Sequence, residues 1–114
     1  MTTLKTSELT GAALDWAVAK CEAYRLDLVT EGSYTPSTDW AQGGPIIERM
    51  RLNRLTTNVS GGYTASVKVT LTNTDDDPYI VWTHGSGPTP LIAAMRCYVA
   101  SKLGDDVDVP DELI

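Results

Sequence analysis

His84 and Ser86 stand two residues apart in His84-Gly85-Ser86-Gly87-Pro88-Thr89-Pro90, where a base, a hydroxyl and a glycine-rich run meet ahead of an apolar segment. Two chemistries attach to such a run. A glycine turn leading from a strand into a helix can present donors to a phosphate, with Ser86, Gly87 and Thr89 as the candidate anion-binding positions. A serine on the same kind of turn can act as a nucleophile if a histidine takes its proton. Both readings meet objections in the residues themselves. Pro88 and Pro90 carry no backbone N–H, and no lysine follows as the phosphate-loop pattern requires. The nucleophile turn is built as Gly-x-Ser-x-Gly, whereas this run is Gly-Ser-Gly, and no acid marks itself as the partner that orients His84. Thr89 before Pro90 reads more simply as a helix cap followed by proline at the first helical position. A small-molecule or nucleotide-handling enzyme using this turn, with Asp39, Glu48 or His84 as acid or base, is therefore the secondary reading.

Other reactive side chains are scattered. Asp75-Asp76-Asp77 lacks the alternate spacing, central glycine and terminal glutamate of a calcium loop, and reads as a turn. Cys21 and Cys97 have no zinc-ligand spacing and are expected as two reduced thiols. No cofactor fingerprint or metal set is present. Arg49, Arg51 and Arg54 cluster near the end of a short helix, where cations favour the negative end of the dipole and could also grip an acidic partner. Trp16, Trp40 and Trp82 are large residues that one small core need not absorb in full. Exposed aromatics mark protein contacts, so these three tryptophans and three arginines form the candidate interaction surface.

The elements that must position these groups follow from periodicity. Residues 10 to 24 repeat apolar positions at helical spacing, from Ala13 and Leu14 through Ala17, Val18 and Cys21 to Tyr24, with Trp16 off the stripe. A second, shorter helix is expected from about Pro45 to Arg51, entered through Gly43-Gly44. Residues 52–60 and 63–72 flank Gly61-Gly62, which suits a two-residue hairpin turn. The second of those strands alternates, with Tyr63, Ala65, Val67, Val69 and Leu71 on one face and Thr64, Ser66, Lys68, Thr70 and Thr72 on the other. Tyr79 to Thr83 is a third strand. The last helix runs from Pro90 to Leu103. The order α-α-β-β-β-α with a half-polar antiparallel sheet predicts an α+β fold of two layers, helices on one face of three strands.

The net charge of −6 is local in origin: Asp105, Asp106, Asp108, Asp111 and Glu112 account for five of the 15 acids, leaving ten acids against nine bases in the rest. A body so close to neutral has neither the basic stripe of a nucleic-acid binder nor the dispersed acids of a nucleic-acid mimic. Residues 1–104 are expected as one domain, long enough to bury roughly 65% of the unfolded surface. Residues 105–114 are expected as an acidic, solvated tail whose Val107, Val109, Leu113 and Ile114 could dock on the body or on a partner. No apolar stretch approaches the ~20 residues of a membrane span and no secretory pattern opens the chain, which points to a cytoplasmic protein.

Three blocks carry a family resemblance: Leu9-Thr10-Gly11-Ala12-Ala13-Leu14-Asp15-Trp16-Ala17-Val18-Ala19, Ser37-Thr38-Asp39-Trp40-Ala41-Gln42-Gly43-Gly44-Pro45-Ile46-Ile47-Glu48, and the run from Gly87-Pro88-Thr89-Pro90 to Val99-Ala100. Together they resemble the phage NinX family, small proteins of temperate phages and prophages with no assigned activity. The resemblance implies a phage or prophage source and carries no catalytic residues with it. The function expected is that of a non-enzymatic accessory protein that binds a host or phage protein through exposed aromatics, the polar sheet face or the acidic tail.

Overall fold

The computed structural model describes residues 1–23, 26–71 and 79–114. In chain order they form strand β1 (Thr2–Lys5), a 3-10 turn (Thr6–Glu8), helix α1 (Gly11–Cys21), the one-turn helix α2 (Asp27–Thr30) and helix α3 (Trp40–Met50). Strands β2 (Arg54–Thr57), β3 (Tyr63–Leu71) and β4 (Tyr79–Gly87) follow, then helix α4 (Pro90–Leu103), strand β5 (Asp106–Val109) and a closing 3-10 turn (Asp111–Leu113). Strands β2, β3 and β4 make an antiparallel sheet in sequence order, and β1 with β5 makes a separate ribbon. The fold is α+β, as expected. Tyr24 and Asp75-Asp76-Asp77 lie outside the described residues.

Helix α4 occupies the middle of the molecule. Its start is the one expected: the Thr89 hydroxyl accepts from Ile92 N at 3.1 Å, Pro90 fills the first position, and Gly104 at φ +85 ends it. Every residue from Ala93 to Val99 is buried, because α4 contacts β3 and β4 on one side and α1 and α3 on another. Met95 and Val99 join Leu9, Leu14, Val18 and Val109 as the fully buried core.

Four expectations are corrected. The segment from His84 is not a turn: β4 continues through Gly87, and only Pro88 and Thr89 connect it to α4. The glycines serve close contact, since a Cβ on Gly85 would lie 2.3 Å from Cys97 N and 2.6 Å from Ala93 O. Helix α3 begins at Trp40 rather than Pro45, because Asp39 caps it by accepting from Ala41 N at 3.0 Å. Pro45 sits inside the helix, and Gly43 is a packing residue whose Cβ would meet Pro36 O at 2.4 Å and Leu91 Cδ1 at 2.6 Å. The hairpin pairs Thr57 with Tyr63, so its connection spans residues 58–62 rather than a two-residue turn. It is closed by Asn58 N to Gly62 O at 2.7 Å, with Gly61 at φ +95.

The fourth correction concerns the acidic end. Residues 106–109 are a strand paired with β1 from Thr2↔Val109 to Lys5↔Asp106, and Val107 and Val109 are buried. The alternation Asp-Val-Asp-Val puts carboxylates in water and valines in the core, so the charge does not oppose docking.

Buried polar groups tie the layers together. Asp15 is 3% exposed and its Oδ1 accepts from Ser37 N at 2.8 Å, fastening the loop before α3 to α1; burial pushes its carboxyl above the ordinary range. Both cysteines are free thiols, and burial pushes Cys97 up to about 11. Among the described residues no helix is long and apolar enough to cross a membrane.

Candidate interaction surface

The register of the sheet decides what its outer face presents. Ser66 stands opposite both Arg54 and His84, Lys68 opposite Trp82, and Thr64 opposite Ser86. These residues share one face by alternation, while Ala65 and Gly85 take the other face, against α4. Arg54, Ser66, Trp82 and His84 line a shallow hollow of about 140 Å³ on the outer face. Trp82 is 50% exposed and Ile80, two residues before it on the same face, is 52% exposed. An indole left half in water beside an exposed isoleucine is the largest apolar group this face offers.

Polar side chains brace the rest of the face. Ser66 Oγ and His84 Nδ1 are 2.7 Å apart, and Thr64 Oγ1 donates to Asn58 Oδ1 at 2.7 Å while lying 3.1 Å from Ser86 Oγ. Histidine thus pairs with Ser66 across the strands, and Ser86 points to Thr64. The Ser66 residue is buried, and among the described residues no carboxylate hydrogen-bonds to His84. Asp39 caps α3 and also accepts from Gln42 Nε2 at 3.0 Å, while Glu48 is exposed on the same helix. Neither joins Ser86 and His84 in one hollow.

The other candidate residues are dispersed. Trp16 is 6% exposed, with Lys20 Nζ 5.2 Å from its ring centroid, so it belongs to the core. Trp40 is 55% exposed at the start of α3, apart from the sheet face. Arg49 is engaged by the Glu22 carboxylate, which also accepts from Tyr98 Oη at 2.6 Å; burial followed by that bond pushes the phenol upward. Arg51 ends α3 in the left-handed conformation at φ 54. Of the six residues proposed from sequence, the structure brings together Arg54 and Trp82. Ser66 and Lys68, sorted onto the polar strand face from the sequence, complete the face together with Ile80, which was missed; their cross-strand partners require the register, and the register depends on the true hairpin length.

Gly87 lies against α4, where its Cβ would be 2.8 Å from Ile92 Cγ2 and 3.3 Å from Arg96 Nη1. Ser86 contributes its carbonyl oxygen to Arg96 Nη1 at 2.7 Å, and Thr89 is occupied as a cap. The three therefore do not form a backbone cradle at the helix start.

A family model described as Bacteriophage P22, NinX matches residues 5–102. That span takes in β1's last residue and runs almost to the end of α4. A search of curated proteins found no match.

Proposed function

The chain belongs to the bacteriophage P22 NinX family, and from that premise we propose that it works as a phage accessory protein by binding a host or phage protein through the outer face of its sheet. The observation that carries this reading is the half-exposed Trp82 beside exposed Ile80, with Arg54 and His84 at the rim. A rigid strand holds the indole at low conformational cost, and tryptophan is one of the residues enriched among interface hot spots. Arg54 supplies a cation at the rim for an acidic or carbonyl-rich partner surface. The site of action in this reading is the host cytoplasm.

Affinity capture from phage-infected cells, followed by a binding titration with the protein recovered, tests it. Trp82→Ala is expected to weaken that binding by about 2 kcal/mol or more, roughly 30-fold in Kd. Trp40→Ala, on a separate surface, should leave it unchanged. Saturable capture that survives Trp82→Ala, or no saturable capture by the wild-type protein, rejects the assignment of this face.

A further inference from the structure

Arg96 is buried to 9% exposure in the middle of α4, yet the groups it hydrogen-bonds are neutral. Its Nε donates to Leu9 O at 2.8 Å and its Nη1 to Ser86 O at 2.7 Å. Among the described residues no carboxylate lies within ion-pair distance of it. A guanidinium stays charged in proteins, and a charge withdrawn from water is ordinarily paired. Two carbonyl dipoles stabilise the cation without neutralising it.

Two hollows open beside this group, both lined by Ser7, Ser86 and Arg96. The one toward the acidic strand, about 470 Å³, also carries Asp105 and Asp106, which repel an anion. The one toward the hairpin loop, about 530 Å³, adds Asn58, Ser60 and glycine backbone and has no carboxylate in its lining. We propose that this second hollow is a binding site for a phosphate group, free or as the monoester of a small molecule, held by Arg96, Asn58, Ser60 and Ser7.

Hydrogen-bond direction supports the role of Asn58. The Thr64 hydroxyl has a single hydrogen and gives it to Asn58 Oδ1, so the neighbouring contact with Ser86 is donated by Ser86. This relay fixes the amide with its oxygen occupied and leaves Asn58 Nδ2, beside Gly62, as a donor pair without an acceptor among the described residues. Gly87 lets the guanidinium come up against the strand, since a Cβ there would sit 3.3 Å from Arg96 Nη1. The prolines at 88 and 90 do not weaken this site, because its donors are side chains and not the start of α4. Side chains from α4, the hairpin loop and the 3-10 turn at Ser7 line this one hollow, so a guanidinium, an amide and two hydroxyls are available to the several oxygens of a phosphate.

The test is a titration followed by amide and arginine Nε resonances, using sodium phosphate, ribose 5-phosphate and, at matched ionic strength, sodium chloride. Saturable shifts at residues 58–62, 86–87 and Arg96 Nε are expected with both phosphate ligands and not with chloride. Tighter binding of the ester identifies a phosphorylated small molecule as the ligand, and equal binding identifies inorganic phosphate. Asn58→Asp keeps an acceptor for Thr64 but replaces the donor with a negative charge; Ser60→Asp does the same from an exposed position. Each should weaken phosphate binding about tenfold or more with the melting temperature held, whereas Arg96→Ala disturbs the core and is less informative. The proposal is overturned if neither phosphate ligand saturates, if chloride reproduces the shifts, or if both aspartate variants bind as the wild type does.

Discussion

Replacing Gly85 with alanine places one methyl group in the contact on which the fold is centred. The new Cβ would stand 2.3 Å from Cys97 N, 2.6 Å from Ala93 O and 2.7 Å from Cys97 Cα. Comfortable contact between such atoms begins at about 3.5 Å, so roughly 1 Å of separation is missing. All three neighbours are backbone of α4, and no rotamer change relieves them. The strand or the helix must move, and α4 also packs on α1 and α3. Overpacking of a tight core costs about 1–3 kcal/mol, and a clash with backbone alone belongs at the upper end. Set against a stability of roughly 5–15 kcal/mol, a loss of about 3 kcal/mol lowers the melting temperature by roughly 10–20 °C. Gly44→Ala is the matched control: it sits in α3, where an added Cβ would meet nothing within 4 Å, and should stabilise by about 0.5–1 kcal/mol through helix propensity. Thermal unfolding followed by circular dichroism measures both. A Gly85→Ala protein that melts with the wild type would show that α4 and β4 are not in close contact, and the account of the glycine run would fall with it.

The buried carboxylate of Asp15 makes stability depend on pH. Its folded pKa is raised above the ordinary value of 3.8, so its contribution is present below that value and is lost as pH rises through the folded pKa. Asp15→Asn keeps an acceptor for Ser37 N without the charge; it should be more stable than the wild type at neutral pH, with the difference closing in acid. Equal urea midpoints at neutral pH would contradict the burial argument. Ending the chain at Gly104 removes Val107 and Val109 from the core and leaves β1 unpaired. At about 1.5–3 kcal/mol for each buried valine the loss is roughly 3–6 kcal/mol, and an unchanged urea midpoint would return residues 105–114 to the status of a solvated end.

Local signals that do not depend on tertiary contact were legible. Thr89-Pro90 marks the start of α4, and alternation from Tyr63 to Val69 sorts β3 into its two faces. Glycine was the point of failure, because the same residue serves turns and close approaches. Gly85 and Gly87 continue a strand under a helix, and Gly43 and Gly44 lie within one; only the packing partner distinguishes these roles. Trp16 fell off the apolar stripe of α1 yet is buried, since α1 buries every residue from Ala13 to Ala19. Burial on nearly all sides erases the periodicity that would announce it. Arg96 carried no sequence signal as a site residue, for its importance lies in the carboxylate that is not beside it. In the outer face, Arg54 and Trp82 were identifiable singly and alternation put Ser66 on the polar side of its strand, but Ser66's partners Arg54 and His84, and the place of Ile80, emerged only once the strands were aligned.

The ribbon of β1 and β5 joins positions about 100 residues apart, Lys5 facing Asp106. A ribosome adds roughly 5–20 residues per second, so β1 emerges about 5–20 s before its partner strand exists. Through that interval the apolar surface of α1 that later meets β5 has no cover from it. Completion of this domain therefore waits for the synthesis of β5, and a pause in translation before that strand would prolong the exposure of its first helix.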